Sequence, residues 1–380
     1  MRWDCVTGEY PPQHGGVSDY LHQVAHVLAA TGDEVHVWAP PCVSSSPRDG
    51  AVTLHRLPDR FGPRTVTSLG RLAGAARPGR RWLVQYTPRA FGWQAMNVPF
   101  CLWLHARGRV DTIWTMFHEV VYPLRRRQPL THNAMAIVTR VTAALVARAS
   151  ARVFVSIPAW ACILRRLAPP SLSIDWLPVP SSVPSSVSPS AVALVRKRLA
   201  AESDQQLIGH FGTFGGEIGA LLAAILPPLL RGDPRRVALL VGRGGDAFAA
   251  ALKNAEPALQ GRLHATGGLA PDAVAAHLAA CDVLVQPYPD GVSSRRTSVM
   301  AGLALGLPIV TPHGDLTESV WAEDDAVELA PAVVPASLVR TTETLLADAD
   351  RRQRLRVNAL RMYASRFALE RVVEKLRHGE

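Results

Sequence analysis

The sequence predicts an α/β fold of two Rossmann-like halves, each a doubly wound parallel sheet. Three observations lead there. Short β-rich apolar runs alternate with helix-periodic stretches, the alternation breaks once near residues 168–190, and it then starts again. Continuous apolar runs between helices are what parallel strands covered on both faces require. With 380 residues, 48% hydrophobic and 19% charged, the chain is long enough for two cores, and wholesale disorder is excluded.

In the first half, residues 2–7, 35–40, 51–57, 82–86, 111–117 and 151–155 read as strands. Between the first two, Ser18–Ala30 places Leu21, Val24, Ala25, Val27 and Leu28 on one helical stripe. The segment APPSLSIDWLPVPSSVPSSVSPSA is rich in Pro and Ser with a single charge, Asp175, and reads as an interdomain connection. After it, residues 205–212, 237–242, 263–267, 282–288 and 307–311 read as strands. The expected domains are therefore 1–180 and 181–363. Two such halves joined by a linker are expected to bind ligands at the strand C-terminal ends, in a cleft between them.

The start, MRWDCVTGEYPP, has no apolar h-region, so no signal peptide is expected. No uncharged apolar run long enough to cross a membrane is evident; IGALLAAILPPLL stops at thirteen residues and holds two prolines. Cys5, Cys42, Cys101, Cys162 and Cys281 lie at least 37 residues apart, which reads as buried reduced thiols in a cytosolic protein, not a disulfide frame or a zinc site. Residues 1–180 carry 20 Arg, no Lys and 10 acids; the remainder carries 21 basic and 21 acidic residues, so the whole +10 excess lies in the first half. An anionic partner for that half follows, with Arg125, Arg126 and Arg127 as the densest cluster, although a solvated surface run accounts for the triplet alone.

Four segments carry candidate chemistry. In EYPPQHGGVSDYL, Gly15 and Gly16 open a helix, where backbone N–H groups and the helix dipole suit an anion; a plain turn capped by Ser18 or Asp19 is the alternative. VGRGGDA (241–247) offers a dinucleotide-like glycine pattern, but no acid ends the following strand, and a tight strand-to-helix turn explains it. In TMFHEVVYP, His118 and Glu119 follow a strand directly, a pair suited to proton chemistry or sugar hydroxyls, or to structural hydrogen bonding. In PYPDGVSSRRTSVMAGLALGLP, a strand runs into Asp290-Gly291, a polar loop carries Arg295 and Arg296, and a helix starts near Thr297. Amides, two guanidiniums and a helix N-terminus in one loop suit a diphosphate.

In their order along the chain, Gly15-Gly16-Val17, His118-Glu119, the Gly-rich start of the second half and Asp290-Gly291…Gly306-x-Pro308 resemble a GT-B glycosyltransferase of the glycosyltransferase family 4 type. The resemblance implies two Rossmann domains clasping a nucleoside diphosphate sugar as donor substrate, an acceptor held by the N-terminal domain, retention of configuration, and neither metal nor cofactor. It also implies that the C-terminal helix, near residues 364–380, crosses back to the first domain. Gly15, Gly16 and His118 would line the cleft beside the transferring sugar.

Two departures stand out. The family's diphosphate-holding Arg and Lys are replaced by Thr213 and Ile218 in the stretch Gly212–Gly219. The family's Glu-x7-Glu becomes Asp290 followed by Ser298, or by Ala301 when counted back from Gly306. Donor binding is thus either lost or rebuilt, and relocation of the clamp to Arg295 and Arg296 accounts for both changes.

The expected catalytic residues are His118, Asp290 and Arg295. The expected donor contacts are Gly15, Gly16, Thr213, Gly216, Thr266, Leu269, Gly291, Val292, Ser293, Ser294, Arg296, Thr297 and Ser298. Glu119 and Arg125–Arg127 are expected to meet a sugar, lipid-linked or anionic acceptor, with Trp103, Trp114 and Tyr122 helping to dock it at the inner face of a membrane. Consecutive arginines point apart, so one of Arg295 and Arg296 is expected to dominate. A non-catalytic nucleotide-sugar or glycan-binding module and a Rossmann oxidoreductase are the rival readings; nucleic acid is not an expected partner.

Overall fold

The computed structural model describes residues 1–42, 46–72, 79–200, 202 and 204–378. The chain forms two compact units, residues 1–179 with 369–380, and residues 180–368.

The first unit runs β1 (Arg2–Val6), α1 (Gly16–Ala30), β2 (Glu34–Ala39), β3 (Arg48–Asp49), β4 (Val52–Arg56), α2 (Pro63–Leu72), β5 (Arg80–Tyr86), α3 (Val98–Arg107), β6 (Thr112–Phe117), α4 (Leu130–Ala149), β7 (Arg152–Val155), α5 (Pro158–Leu164) and β8 (Ser173–Trp176). The sheet order is β3-β4-β2-β1-β5-β6-β7-β8, parallel except for the β3–β4 hairpin. The chain builds outward from β1 through β2 and returns to β5, so the topological switch point lies between β1 and β5. Leu21, Val24 and Leu28 of α1 pack against β1 and β2 through Cys5, Val35 and Val37, as the 3.6-residue stripe requires.

The second unit runs α6 (Pro189–Leu199), β9 (Gln206–Phe211), α7 (Gly216–Gly232), β10 (Arg236–Val241), α8 (Gly245–Ala255), β11 (Leu263–Ala265), α9 (Pro271–Ala279), β12 (Val283–Val285), α10 (Thr297–Ala304), β13 (Ile309–Pro312), α11 (Val320–Glu323), β14 (Glu328–Ala330), α12 (Pro335–Ala347) and α13 (Ala349–Met362). Its sheet is wholly parallel in the order β11-β10-β9-β12-β13-β14, with the switch point between β9 and β12. A π-helical turn at Tyr363–Phe367 ends this unit, and α14 (Leu369–His378) returns to the first. There Val372, Val373 and Leu376 join the cluster of Leu21 and Val24, and Lys375 Nζ donates to Trp176 O at 3.0 Å.

Several expectations need correction. The Pro/Ser-rich stretch is not all linker: residues 173–176 form the edge strand β8, tied to β7 by an Arg152–Asp175 pair at 2.8 Å. The strand expected over 282–288 stops at Val285, and the residues after it form the loop discussed below. Helix α7 continues through Pro227 and Pro228. α4 is long and apolar enough to cross a membrane by length and composition, although Arg140 and Arg148 within it mean that it is not an uncharged run. Its Ala143, Val146 and Ala147 face belongs to the first unit's core. Trp114 is buried in that unit and so is not available to dock an acceptor at the surface; Trp103 is half-buried and stacks on Phe100 at 5.6 Å. All five cysteines are free; Cys5, Cys101 and Cys281 are buried, but Cys42 is half-buried and Cys162 exposed.

Candidate active site

In the second unit the loops after β9 and β12 come together at the switch point. Gly212 has φ +143° and Gly216 φ +57°, conformations only glycine adopts without strain. They let the chain turn from β9 into α7, whose N-cap is Gly215. Open space surrounds the positions that a side chain would take at Gly215 or Gly216, with nothing within 4 Å. Exposed Thr213 sits in this turn, its carbonyl 3.3 Å from His210 Nε2. His210 is buried, which pushes its pKa down, and it lies 2.9 Å from Val285 O through Nδ1. Ser298, in the first turn of α10, borders the same place: its Oγ is 3.7 Å from a Cβ built on Gly212. It also hydrogen-bonds Tyr288 Oη at 2.7 Å.

Tyr288 connects this edge to the arginine loop, since the Arg296 guanidinium lies 4.6 Å from its ring centre. Arg295 and Arg296 both pair with the Asp290 carboxylate. The expectation that adjacent arginines diverge is therefore wrong: the chain turns tightly before α10, where Arg296 is the N-cap, and long side chains converge from it. Asp290 faces two cations, so its carboxylate is engaged there instead of being presented to sugar hydroxyls alone.

The amides of this loop also find partners within the protein. Gly291 N donates to Tyr288 O at 3.1 Å, Val292 N to Pro312 O at 3.2 Å and Ser294 N to Glu318 Oε1 at 3.0 Å. Glu318 was not singled out from the sequence, because it lies 24 positions from Ser294; it also accepts from Trp321 Nε1 at 2.7 Å. Gly291, with φ +84°, allows Gly314 to approach, for a Cβ there would lie 2.5 Å from Gly314 N. Ser293 Oγ and Gln286 Oε1 are buried without partners among the described residues. Thr297 begins α10. Thr266 and Leu269, both half-buried, follow β11 on the same edge of the sheet, where Thr266 N donates to Leu240 O at 3.0 Å. The glycine turn at 242–245 is a close packing joint: a Cβ on Gly242 would lie 2.5 Å from Gly212 O.

In the first unit, the loops after β1, β5 and β6 enclose a pocket of about 310 Å³ lined by Gly8, Glu9, Thr87, Arg89, Glu119 and Tyr122, among others. Of the expected residues, exposed Glu119 and half-buried Tyr122 line it. Neither Ser18 nor Asp19 caps α1; the N-cap is Gly15, and Glu9 Oε1 accepts from the N–H groups of Val17 and Ser18 at 3.1 Å each. A side chain on Gly15 would collide with that carboxylate, whereas the space at Gly16 is open. The anion expected at this helix is thus already supplied by the chain.

His118 is buried, with Nε2 2.8 Å from Gln85 Oε1 and its ring edge-on to Tyr20 at 5.0 Å. Its carbonyl accepts from Ser156 Oγ and Trp160 Nε1. Burial pushes its pKa down to about 3, so the imidazole is neutral through the physiological range. Arg125, Arg126 and Arg127 are exposed, near the exposed apolar residues Leu124 and Leu130 in sequence.

Residues 205–348 match the family described as "Glycosyl transferases group 1". Comparison with curated proteins found no match. Among solved structures, sucrose-phosphate synthase from Thermosynechococcus elongatus is similar, with a TM-score of 0.72 at 17% identity over 99% of this chain and 97% of that one. Anabaena HepE, solved with UDP and glucose, gives 0.69 at 17% identity over 100% and 99% of the two chains. WaaG, a glycosyltransferase involved in lipopolysaccharide biosynthesis, gives 0.63 at 16% over 99% and 98%. The chain thus has the two-domain GT-B fold, and its second unit carries the segment that matches glycosyl transferases group 1.

Proposed function

We propose that this protein is a glycosyltransferase that moves a sugar from a nucleoside diphosphate donor to an acceptor hydroxyl. The observation that carries the reading is the second unit's switch point. There the open N-terminus of α7, Ser298 and the Asp290–Arg295–Arg296 cluster are linked by consecutive contacts inside the matched segment.

The N–H groups and dipole of α7 provide a seat for phosphate oxygens at Gly215–Gly216. Asp290 holds both arginines in one place, and a diphosphate, with more negative charge than one carboxylate, competes for them. Stabilising charge on the leaving diphosphate is usually the largest catalytic contribution in such transfers. Two guanidiniums supply that charge, so the transfer needs no metal in this reading. Glu119 and the first unit's pocket receive the acceptor, while His118, whose carbonyl is held by Ser156 and Trp160, anchors the backbone next to Glu119. Retention, and assignment to family 4, rest on the resemblance of the motifs.

Exposed Arg125–Arg127 beside Leu124 and Leu130 support a lipid-linked or anionic acceptor met at a membrane surface. The free cysteines support a cytoplasmic location. Calorimetry with UDP-, GDP-, ADP- and dTDP-sugars, followed by transfer and hydrolysis assays, tests the proposal. One donor should bind and turn over. No binding to any donor rejects it. Binding without turnover supports the non-catalytic reading.

A further inference from the structure

Two histidines one turn apart on α1 converge with an aspartate from the β3–β4 hairpin. His22 Nε2 lies 3.2 Å and His26 Nε2 3.1 Å from the same Asp49 Oδ2. The three donor atoms all fall within 4.8 Å of one another. The i, i+4 spacing puts both imidazoles on one face of the helix, and their ring centres are 4.4 Å apart. His26 Nε2 is buried yet makes no aligned hydrogen bond, so its contact with the carboxylate is a convergence of ligand atoms more than a donor–acceptor pair. Tyr10 Oη donates to Asp49 Oδ2 at 3.0 Å and brings a fourth polar atom to the group.

We propose that His22, His26 and Asp49 bind one divalent ion of the zinc class. Donors bound tetrahedrally at zinc–nitrogen and zinc–oxygen lengths stand roughly 3.3–3.5 Å apart, a spacing these half-buried side chains reach by small rotations. Two imidazoles favour zinc, cobalt or nickel over magnesium or calcium, which prefer all-oxygen sites. The bound ion would tie α1 to the hairpin and, through Tyr10, to the loop that carries Glu9 into the first unit's pocket.

The test uses the full chain, without a histidine tag and stripped of metal, titrated calorimetrically with zinc and optically with cobalt. One zinc per chain is expected, along with visible cobalt absorption, a zinc-dependent rise in melting temperature and no response to magnesium. His22→Ala, His26→Ala and Asp49→Asn should each lower zinc affinity at least about tenfold. His26→Gln, which keeps the ring's polarity but not its ligand atom, serves if an alanine variant folds poorly. Failure of the parent to bind zinc, or equal binding by all the folded variants, overturns the proposal. A Cys162→Ser background ensures that an exposed thiol does not supply the signal.

Discussion

At the start of α1 the chain's own Glu9 carboxylate already takes the N–H groups of Val17 and Ser18, whereas at the start of α7 the space beside Gly215 and Gly216 is open. Both helices follow the first strand of a doubly wound sheet and enter through paired glycines. One helix end has its charge answered internally; the other is left for something from outside. A glycine pair before a helix is therefore a permissive signal, and a carboxylate within reach decides whether the site receives a ligand.

The largest effect should come from the arginines beside the open end. Arg295→Ala combined with Arg296→Ala should weaken donor or nucleoside diphosphate binding at least ten- to a hundredfold, since a charge-assisted hydrogen bond contributes about 1.5–3 kcal/mol. Turnover should fall further because charge builds on the leaving phosphate. Calorimetry and initial rates measure the two effects. Because both side chains reach Asp290, the single variants should show similar losses; one silent arginine would contradict the shared geometry.

A second effect separates His118 from the chemistry. Burial holds its folded pKa at about 3, below the ordinary 6.5. Between those values the unfolded chain binds more protons, so stability rises with pH through the window and is complete above it. It is lost as pH falls below 6.5, at up to roughly 1.4 kcal/mol per pH unit. His118→Gln should flatten this dependence in denaturant titrations at pH 5 and 7, and should leave nucleotide affinity unchanged at pH 7.

Closing the open end should have a smaller effect. Gly216→Val, forced into φ +57°, should reduce donor affinity about tenfold and stability by about 1–3 kcal/mol. Calorimetry and urea titration follow both. The smallest effect sharpens the contrast: Glu9→Gln should lower stability by about 0.5–2 kcal/mol through the weakened cap, with donor affinity unchanged in calorimetry. If donor affinity rises instead, α1 also receives phosphate and the distinction between the two helices fails.

The sheets were legible because their strands, such as 237–242, are apolar throughout, and parallel strands buried on both faces leave that trace. β8 escaped because SIDW carries a charge and is only half-buried at an edge, where the Arg152–Asp175 pair substitutes for apolar packing. The segment Asp290–Ser298 was legible as polar residues between a strand and a helix. Its wiring was not. Glu318 reaches Ser294 across 24 residues and Glu9 reaches Ser18 across 9, and no local pattern records which distant carboxylate folds onto which amide. The convergence of Arg295 and Arg296 was misjudged because alternation is a rule of extended strands, and these residues lie in a turn.

The return of α14 gives the first unit a dependence on the order of synthesis. Val372, Val373 and Leu376 complete a cluster whose other members lie no later than Val179. Residues 180–368 emerge in between. At about 5–20 residues per second, the ribosome leaves that cluster uncovered for roughly 10–40 seconds after Val179 is made. The second unit, contiguous in the chain, meets no such delay. The half made first is therefore the half finished last, and nascent-chain chaperones should engage its exposed α1 face until the last helix arrives.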